Sequence, residues 1–231
     1  MSHASIATRI QACLDTIQQT AVASARDPNS IQLLAVSKNQ PVEAIQAAFD
    51  AGLRDFGESY WQEAQQKQDI LKHLPITWHF IGPIQSNKAK PISHHFNWVH
   101  SVSNTKIADK LNQLRAALPK LNICIQVNID DEDSKSGCSL EALLPLAKHC
   151  LTLPHLNLRG LMIIPKKNTD KAASYHTFLK LKQALNTLNA ELNCSLDTLS
   201  MGMSHDFVPA IRAGSTWVRI GRSIFHASSL Y

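Results

Sequence analysis

Cysteine is scarce in this chain and unpaired in pattern: Cys13, Cys124, Cys138, Cys150 and Cys194 are odd in number and form no C-x-x-C pair. That argues against a disulfide framework and predicts buried structural thiols in a reducing compartment. No apolar run approaches the length of a membrane span. The start, Met1-Ser2-His3-Ala4, lacks a basic segment followed by an apolar one, so no signal peptide is predicted and the expected location is cytoplasmic. There is no Pro/Gly/Ser-rich linker and no low-complexity tract, which predicts one domain over residues 1–231. No block of five basic residues occurs, and aromatics do not interleave with the basic ones. Nucleic-acid binding therefore rests only on a formal charge of +5 and is not expected. No large apolar surface stripe stands out, so a monomer is expected.

Several motifs are missing as well. No G-x-G-x-x-G follows the first strand, which weakens a dinucleotide-binding reading. Ser37, Ser59 and Ser86 lack a G-x-S-x-G context, which excludes the usual serine-hydrolase elbow. His3 and the pair His94-His95 have no acidic or cysteine partners at ligand spacing, so no metal site is predicted.

What is present is an alternation of short apolar runs and helical patterns. An opening helix spans about Ile6 to Ala23, with Ile6, Ile10, Cys13, Leu14 and Ile17 near helical spacing. Strands are expected at Gln32 to Val36, Arg54 to Phe56, Trp78 to Ile81, Trp98 to Ser101, Asn122 to Asn128, Asn157 to Met162, Thr198 to Ser200 and Trp217 to Ile220. Helices fall between them: one opening at Pro41, then Tyr60 to Leu71, Asn87 to Pro91, Asn104 to Leu118, Leu140 to Cys150, Asp170 to Asn189 and Ser204 to Ala213. Eight strand–helix units predict an α/β fold, a single (β/α)8 TIM barrel with an extra N-terminal helix. A doubly wound open sheet is the alternative.

Barrel sites gather at the C-terminal ends of the strands. The first strand leads from Leu33-Leu34-Ala35-Val36-Ser37 into Lys38. Apolar walls around such a lysine would disfavour its ammonium form and free a nucleophilic amine for a Schiff base. The last two strands lead into Ser200-Met201-Gly202-Met203-Ser204 and Arg219-Ile220-Gly221-Arg222-Ser223, Gly/Ser turns of the kind that hold phosphate. An aldehyde-reactive lysine and a phosphate cradle together point to pyridoxal phosphate (PLP).

The remaining candidates carry alternatives. Ser204 could donate to a phosphate or serve as an ordinary helix N-cap. Arg219 shares a strand face with Trp217 and needs a buried partner. A pyridine nitrogen would serve and would stay unprotonated; an ion pair with Glu58 or Asp55 would serve as well. His79 and Asn128 could pack against a cofactor ring, although a strand histidine is equally a satisfied core residue. Met201 and Met203 suit packing, with Met203 carried as a candidate cofactor contact.

In order and combination these segments resemble the pyridoxal phosphate homeostasis proteins, also called the YggS or PROSC type. The matching segments are Ala35-Val36-Ser37-Lys38, Phe56-Gly57-Glu58-Ser59-Tyr60, Trp78-His79-Phe80-Ile81-Gly82 and Gln85-Ser86-Asn87-Lys88. Further on come His100-Ser101-Val102, Val127-Asn128, Lys135-Ser136-Gly137, Gly160-Leu161-Met162, Leu199 to Ser204 and Val218-Arg219-Ile220-Gly221. The resemblance implies a fold-type III PLP-binding barrel similar to the N-terminal barrel of alanine racemase. It implies PLP held as a Schiff base on Lys38, a role in vitamin B6 homeostasis without established turnover, and PLP-requiring apo-enzymes as recipients. A small single-domain racemase is the alternative. Ser59 stands where the family usually has Asn, Arg222 where it has Thr, and His226 where it has Gly. Arg222 could bond the phosphate through its guanidinium or leave that to the backbone. A second, weaker cofactor site on lysines such as Lys135 or Lys166 stays open.

Overall fold

The computed structural model describes residues 4–129, 136–166 and 170–226. Eight strands, β1 (Gln32–Val36), β2 (Asp55–Glu58), β3 (Thr77–Phe80), β4 (Trp98–Val102), β5 (Leu121–Gln126), β6 (Leu156–Met162), β7 (Thr198–Met203) and β8 (Trp217–Ile220), pair in sequence order. All neighbours are parallel, and β8 returns to β1 with Leu34 opposite Arg219, closing the barrel. The open-sheet alternative is thereby set aside. Parallel neighbours need crossover helices, and these supply the outer layer.

The helices are α1 (Ile6–Ala23), α2 (Val42–Asp50), α3 (Trp61–Ile70), α4 (Ala89–His95), α5 (Thr105–Leu114), α6 (Leu140–Leu151), α7 (Lys171–Leu192), α8 (Phe207–Ala213) and α9 (Arg222–Phe225). The extra N-terminal helix α1 starts at Ser5, whose hydroxyl accepts from Thr8 N at 3.1 Å. Its buried Arg9 donates to Ile224 O at 2.6 Å, tying α1 to α9 beside the last strand. The stretch expected as a helix from Asn87 to Pro91 is instead a 3-10 turn, Ser86–Lys88, followed by α4.

The core is the layer between strands and helices, with Phe56, Phe80, Phe96, Phe178, Ile123 and Ile125 among its fully buried side chains. All five cysteines are free, and four are buried. Burial pushes the Cys13 and Cys138 thiols up to about 11, which makes them poor nucleophiles. Among the described residues no helix is long and apolar enough to cross a membrane.

Candidate functional site

Lys38 follows β1 in the turn Ser37 to Gln40, closed by Gln40 N donating to Ser37 O at 3.0 Å. Ser37 is buried and Lys38 is exposed. The expectation of apolar walls around the lysine is thus corrected: the strand before it is buried, but the side chain stands at the open mouth. Asn39 takes the left-handed conformation at φ +60°.

The two Gly/Ser turns meet beside this lysine. β7 runs on to Met203 because Gly202 adopts φ +95°, where a Cβ would also lie 2.6 Å from Ala210 Cβ. Ser204 is not the N-cap of the next helix, contrary to one sequence reading. Asp206 holds that position, its carboxylate accepting from Met203 N at 2.6 Å. Ser204 is freed from capping, and its hydroxyl accepts from Ser223 N at 3.3 Å, joining the two turns. Gly221 sits against β1: a Cβ there would lie 3.1 Å from Val36 O, two residues before Lys38. Arg222 is exposed, and Met203 is half-buried. Asn128 follows β5, its N–H donating to Cys138 O at 2.8 Å.

Inside the barrel a polar chain runs beneath these turns. Arg219 is buried; one terminal nitrogen donates to Ser200 O at 2.6 Å and to Ser200 Oγ at 2.9 Å, the other to Ile163 O at 2.8 Å. Ser200 Oγ lies 2.7 Å from His100 Nδ1, His100 Nε2 lies 3.0 Å from His79 Nδ1, and His79 Nε2 lies 2.9 Å from Asp55 Oδ1. The alternative of an ion pair between Arg219 and Glu58 or Asp55 is corrected by these contacts: Asp55 pairs with His79, and Glu58 with Lys67.

Burial lowers the pKa of both histidines, that of His100 well below its ordinary value, so both rings are neutral near neutral pH. The donor directions then follow from one end. Asp55 accepts, so His79 Nε2 carries the proton and its Nδ1 accepts from His100 Nε2–H. His100 Nδ1 in turn accepts the Ser200 hydroxyl proton, and the Ser200 oxygen accepts from Arg219. Every member is satisfied in a single sense. Burial pushes the Arg219 guanidinium down to about 10, with Asp206 opposing, so it stays charged at neutral pH. The bonds named above use three of its five N–H donors. Trp98 stacks on His79 with ring centroids 5.6 Å apart, and Trp217 packs 4.9 Å away, which fills the interior around the relay.

Sequence reasoning named Arg219 and His79 but missed His100 and Ser200 as their links. The available signal was the pleat: His100 lies two residues beyond Trp98, which pairs with His79 across β3 and β4, so all three face the interior. A second cluster was missed behind the Lys38 turn. Lys67, 4% exposed, reaches Ser37 O at 2.7 Å, Glu58 Oε1 at 2.8 Å and Glu63 Oε1 at 2.5 Å. Glu58 Oε1 also takes the Ser37 hydroxyl at 2.5 Å, while Oε2 is buried without a hydrogen-bond partner among the described residues. Burial raises the Glu58 pKa, and Lys67 opposes the rise. Of the remaining candidates, Lys166 is exposed after β6, while His3, Lys135 and Tyr231 lie outside the described residues.

Comparison with known proteins places these features in a family. The alanine racemase N-terminal domain family matches residues 9–229. A pyridoxal phosphate homeostasis protein of Pseudomonas aeruginosa is 52% identical over 223 residues, covering 96% of this chain and 95% of that one. The protein of the same name from Escherichia coli is 45% identical over 226 residues, covering 96% of each. The structure of PipY from Synechococcus elongatus with PLP bound is 35% identical, with a TM-score of 0.81, covering 91% of this chain and 99% of that one. Alanine racemase from Corynebacterium glutamicum, 17% identical with a TM-score of 0.67, covers 91% of this chain and 60% of that one and shares the fold. By its barrel, its motifs and these similarities along nearly its whole length, the chain belongs to the pyridoxal phosphate homeostasis protein family.

Proposed function

We propose that this protein binds PLP covalently through Lys38 and acts in vitamin B6 homeostasis as a carrier rather than a catalyst. The observation that carries the reading is the meeting of three elements. Gly221 lies against Val36, two residues from Lys38, and the Ser204 turn is bonded to the Gly221 turn through Ser223 N. The donor chemistry suits the group: an amine for the aldehyde, hydroxyl and backbone N–H groups for the phosphate, and a buried cation for the ring nitrogen. When bound, PLP would supply an electrophilic aldehyde for the Lys38 amine.

Ser204, Gly221 and Arg222 are assigned to the phosphate, Arg222 through its backbone because its side chain is exposed. Arg219, held by Ser200, would present a donor to the ring nitrogen and so keep it unprotonated. Asn128, after β5, and Met203, at the end of β7, would flank the cofactor, and His79 would act on the site through His100. The exposure of Lys38 favours exchange over proton abstraction, which needs a water-excluded site. Tyr60, the one tyrosine near the mouth among the described residues, is 57% exposed rather than held over the site. The relatives named as homeostasis proteins support the same role. We infer a single cofactor-binding unit over 1–231, working as a cytoplasmic monomer that serves PLP-requiring apo-enzymes.

The test pairs uptake with turnover. Wild-type protein should take up PLP and racemise no member of an amino-acid panel, and Lys38→Ala should lose covalent uptake. Turnover that disappears in Lys38→Ala would assign a racemase instead, and wild-type protein that takes up no PLP would overturn the binding itself.

A further inference from the structure

The network behind the lysine turn has a geometry that fold stability alone does not call for. The chain turns at Ser37 to Gln40, and the two peptide units flanking the Lys38 Cα are each held from the same side. The carbonyl of Ser37 belongs to the peptide before Lys38 and accepts from Lys67 Nζ at 2.7 Å. The N–H of Asn39 belongs to the peptide after it and donates to Glu63 Oε1 at 2.5 Å. Glu63 and Lys67 are themselves paired at 2.5 Å, one turn apart on α3. One ion pair thus grips both peptide planes of a single residue. Fixing both planes fixes φ and ψ of Lys38, and so the direction in which its side chain leaves the backbone.

Lys67 is built for this. It is almost fully buried, and a buried ammonium persists only when its bonds are met. Its three N–H donors have three oxygen acceptors: Ser37 O, Glu58 Oε1 and Glu63 Oε1. Glu58 adds a second hold on the same turn through the Ser37 hydroxyl. The grip also retains Asn39 in a left-handed conformation that few non-glycine residues adopt. Lys38 itself is exposed, and the turn's own bond, Gln40 N to Ser37 O at 3.0 Å, holds the peptide before Lys38 but not the one after it.

We propose that Lys67 and Glu63 are positioning residues for Lys38. They hold the turn from which its amine meets the aldehyde, so that a flexible exposed side chain starts from a fixed stem. This rests on the assignment of Lys38 as the PLP anchor. Pre-ordering the stem lowers the conformational cost of forming the adduct and so favours both its rate and its equilibrium.

The test compares variants for adduct formation with added PLP, followed by absorbance and by borohydride trapping, at a temperature well below every unfolding transition. Lys67→Met strands the Glu58 carboxylate and risks the fold, so the deciding variant is Glu63→Ala, at a partly exposed helix position. It removes both the bond from Asn39 N and the pairing with Lys67, and should lower the rate and the affinity of adduct formation by at least about five- to tenfold, the factor for a single such bond. Glu63→Gln, which keeps an oxygen for Asn39 N, should restore most of that loss. Ile107→Val, a buried core change in α5, which packs on α4 and α6, serves as a stability control and should leave both quantities unchanged. Glu63→Ala that matches wild type in rate and affinity while only its unfolding temperature falls would overturn the positioning role. Wild-type protein without any trapped adduct on Lys38 would instead overturn the anchor on which the role depends.

Discussion

Ser200→Ala probes the interior relay at its narrowest point. The hydroxyl joins two buried groups: it accepts from Arg219 at 2.9 Å and donates to His100 Nδ1 at 2.7 Å. Alanine removes one oxygen and leaves almost no cavity, so packing contributes little. Arg219 keeps the Ser200 backbone carbonyl and Ile163 O, whereas His100 Nδ1 loses the donor that satisfies it. An orphaned buried acceptor costs about 1–3 kcal/mol, and the lost bond to a charged donor adds to that. The expected destabilisation at pH 8 is about 2–3 kcal/mol, or about 4–12 °C in Tm for a chain of this size. Urea unfolding of wild type and variant measures it directly, with equal m-values required. A change below about 0.5 kcal/mol would refute the relay, because that is the range of an uninvolved surface substitution. Nitrogen chemical shifts give an independent reading: both His79 and His100 should be neutral with the proton on Nε2.

Two further outcomes follow from the same interior. His79 and His100 have pKa values depressed in the folded protein, so between those values and about 6.5 the unfolded chain binds more protons. Their contribution to stability is therefore complete above pH 6.5 and is lost as pH falls below it, at up to about 1.4 kcal/mol per pH unit for each ring. Unfolding followed from pH 8 to pH 5 should show this slope, and His100→Asn should remove about half of it. Gly202→Ala should both destabilise the fold and weaken PLP uptake, since it strains φ +95° and brings Cβ within 2.6 Å of Ala210. Calorimetry together with a PLP titration checks both effects, and an unchanged titration would detach this turn from the phosphate site.

The barrel was legible because alternation carries it. Eight apolar runs with helical patterns between them place every strand, and β8 matches its expected span of Trp217 to Ile220 residue for residue. The boundaries moved where local chemistry is not periodic. β7 outran its expected end at Ser200 because Gly202 lets the chain continue in a left-handed step, and α8 starts late because Asp206 closes a turn on Met203 first. The candidate site was legible as a set of strand ends, but its contacts were not. Ser204 reads as a cap in sequence, and only the fold brings Ser223 to its hydroxyl. The relay links residues from five different strands, which no spacing along the chain reveals. Lys67 left one trace: it lies between Ala64 of α3 and the C-cap Leu71 on one buried stripe, where a charge has no place without a partner.

Everything proposed for the site depends on Lys38 being the covalent anchor. Borohydride reduction of PLP-treated protein, followed by peptide mapping, tests it most directly. One dominant reduced adduct is expected, on the peptide containing Lys38, with the visible absorption band lost on reduction. An adduct spread over exposed lysines, or concentrated on a lysine remote from the Ser204 and Gly221 turns, would contradict it.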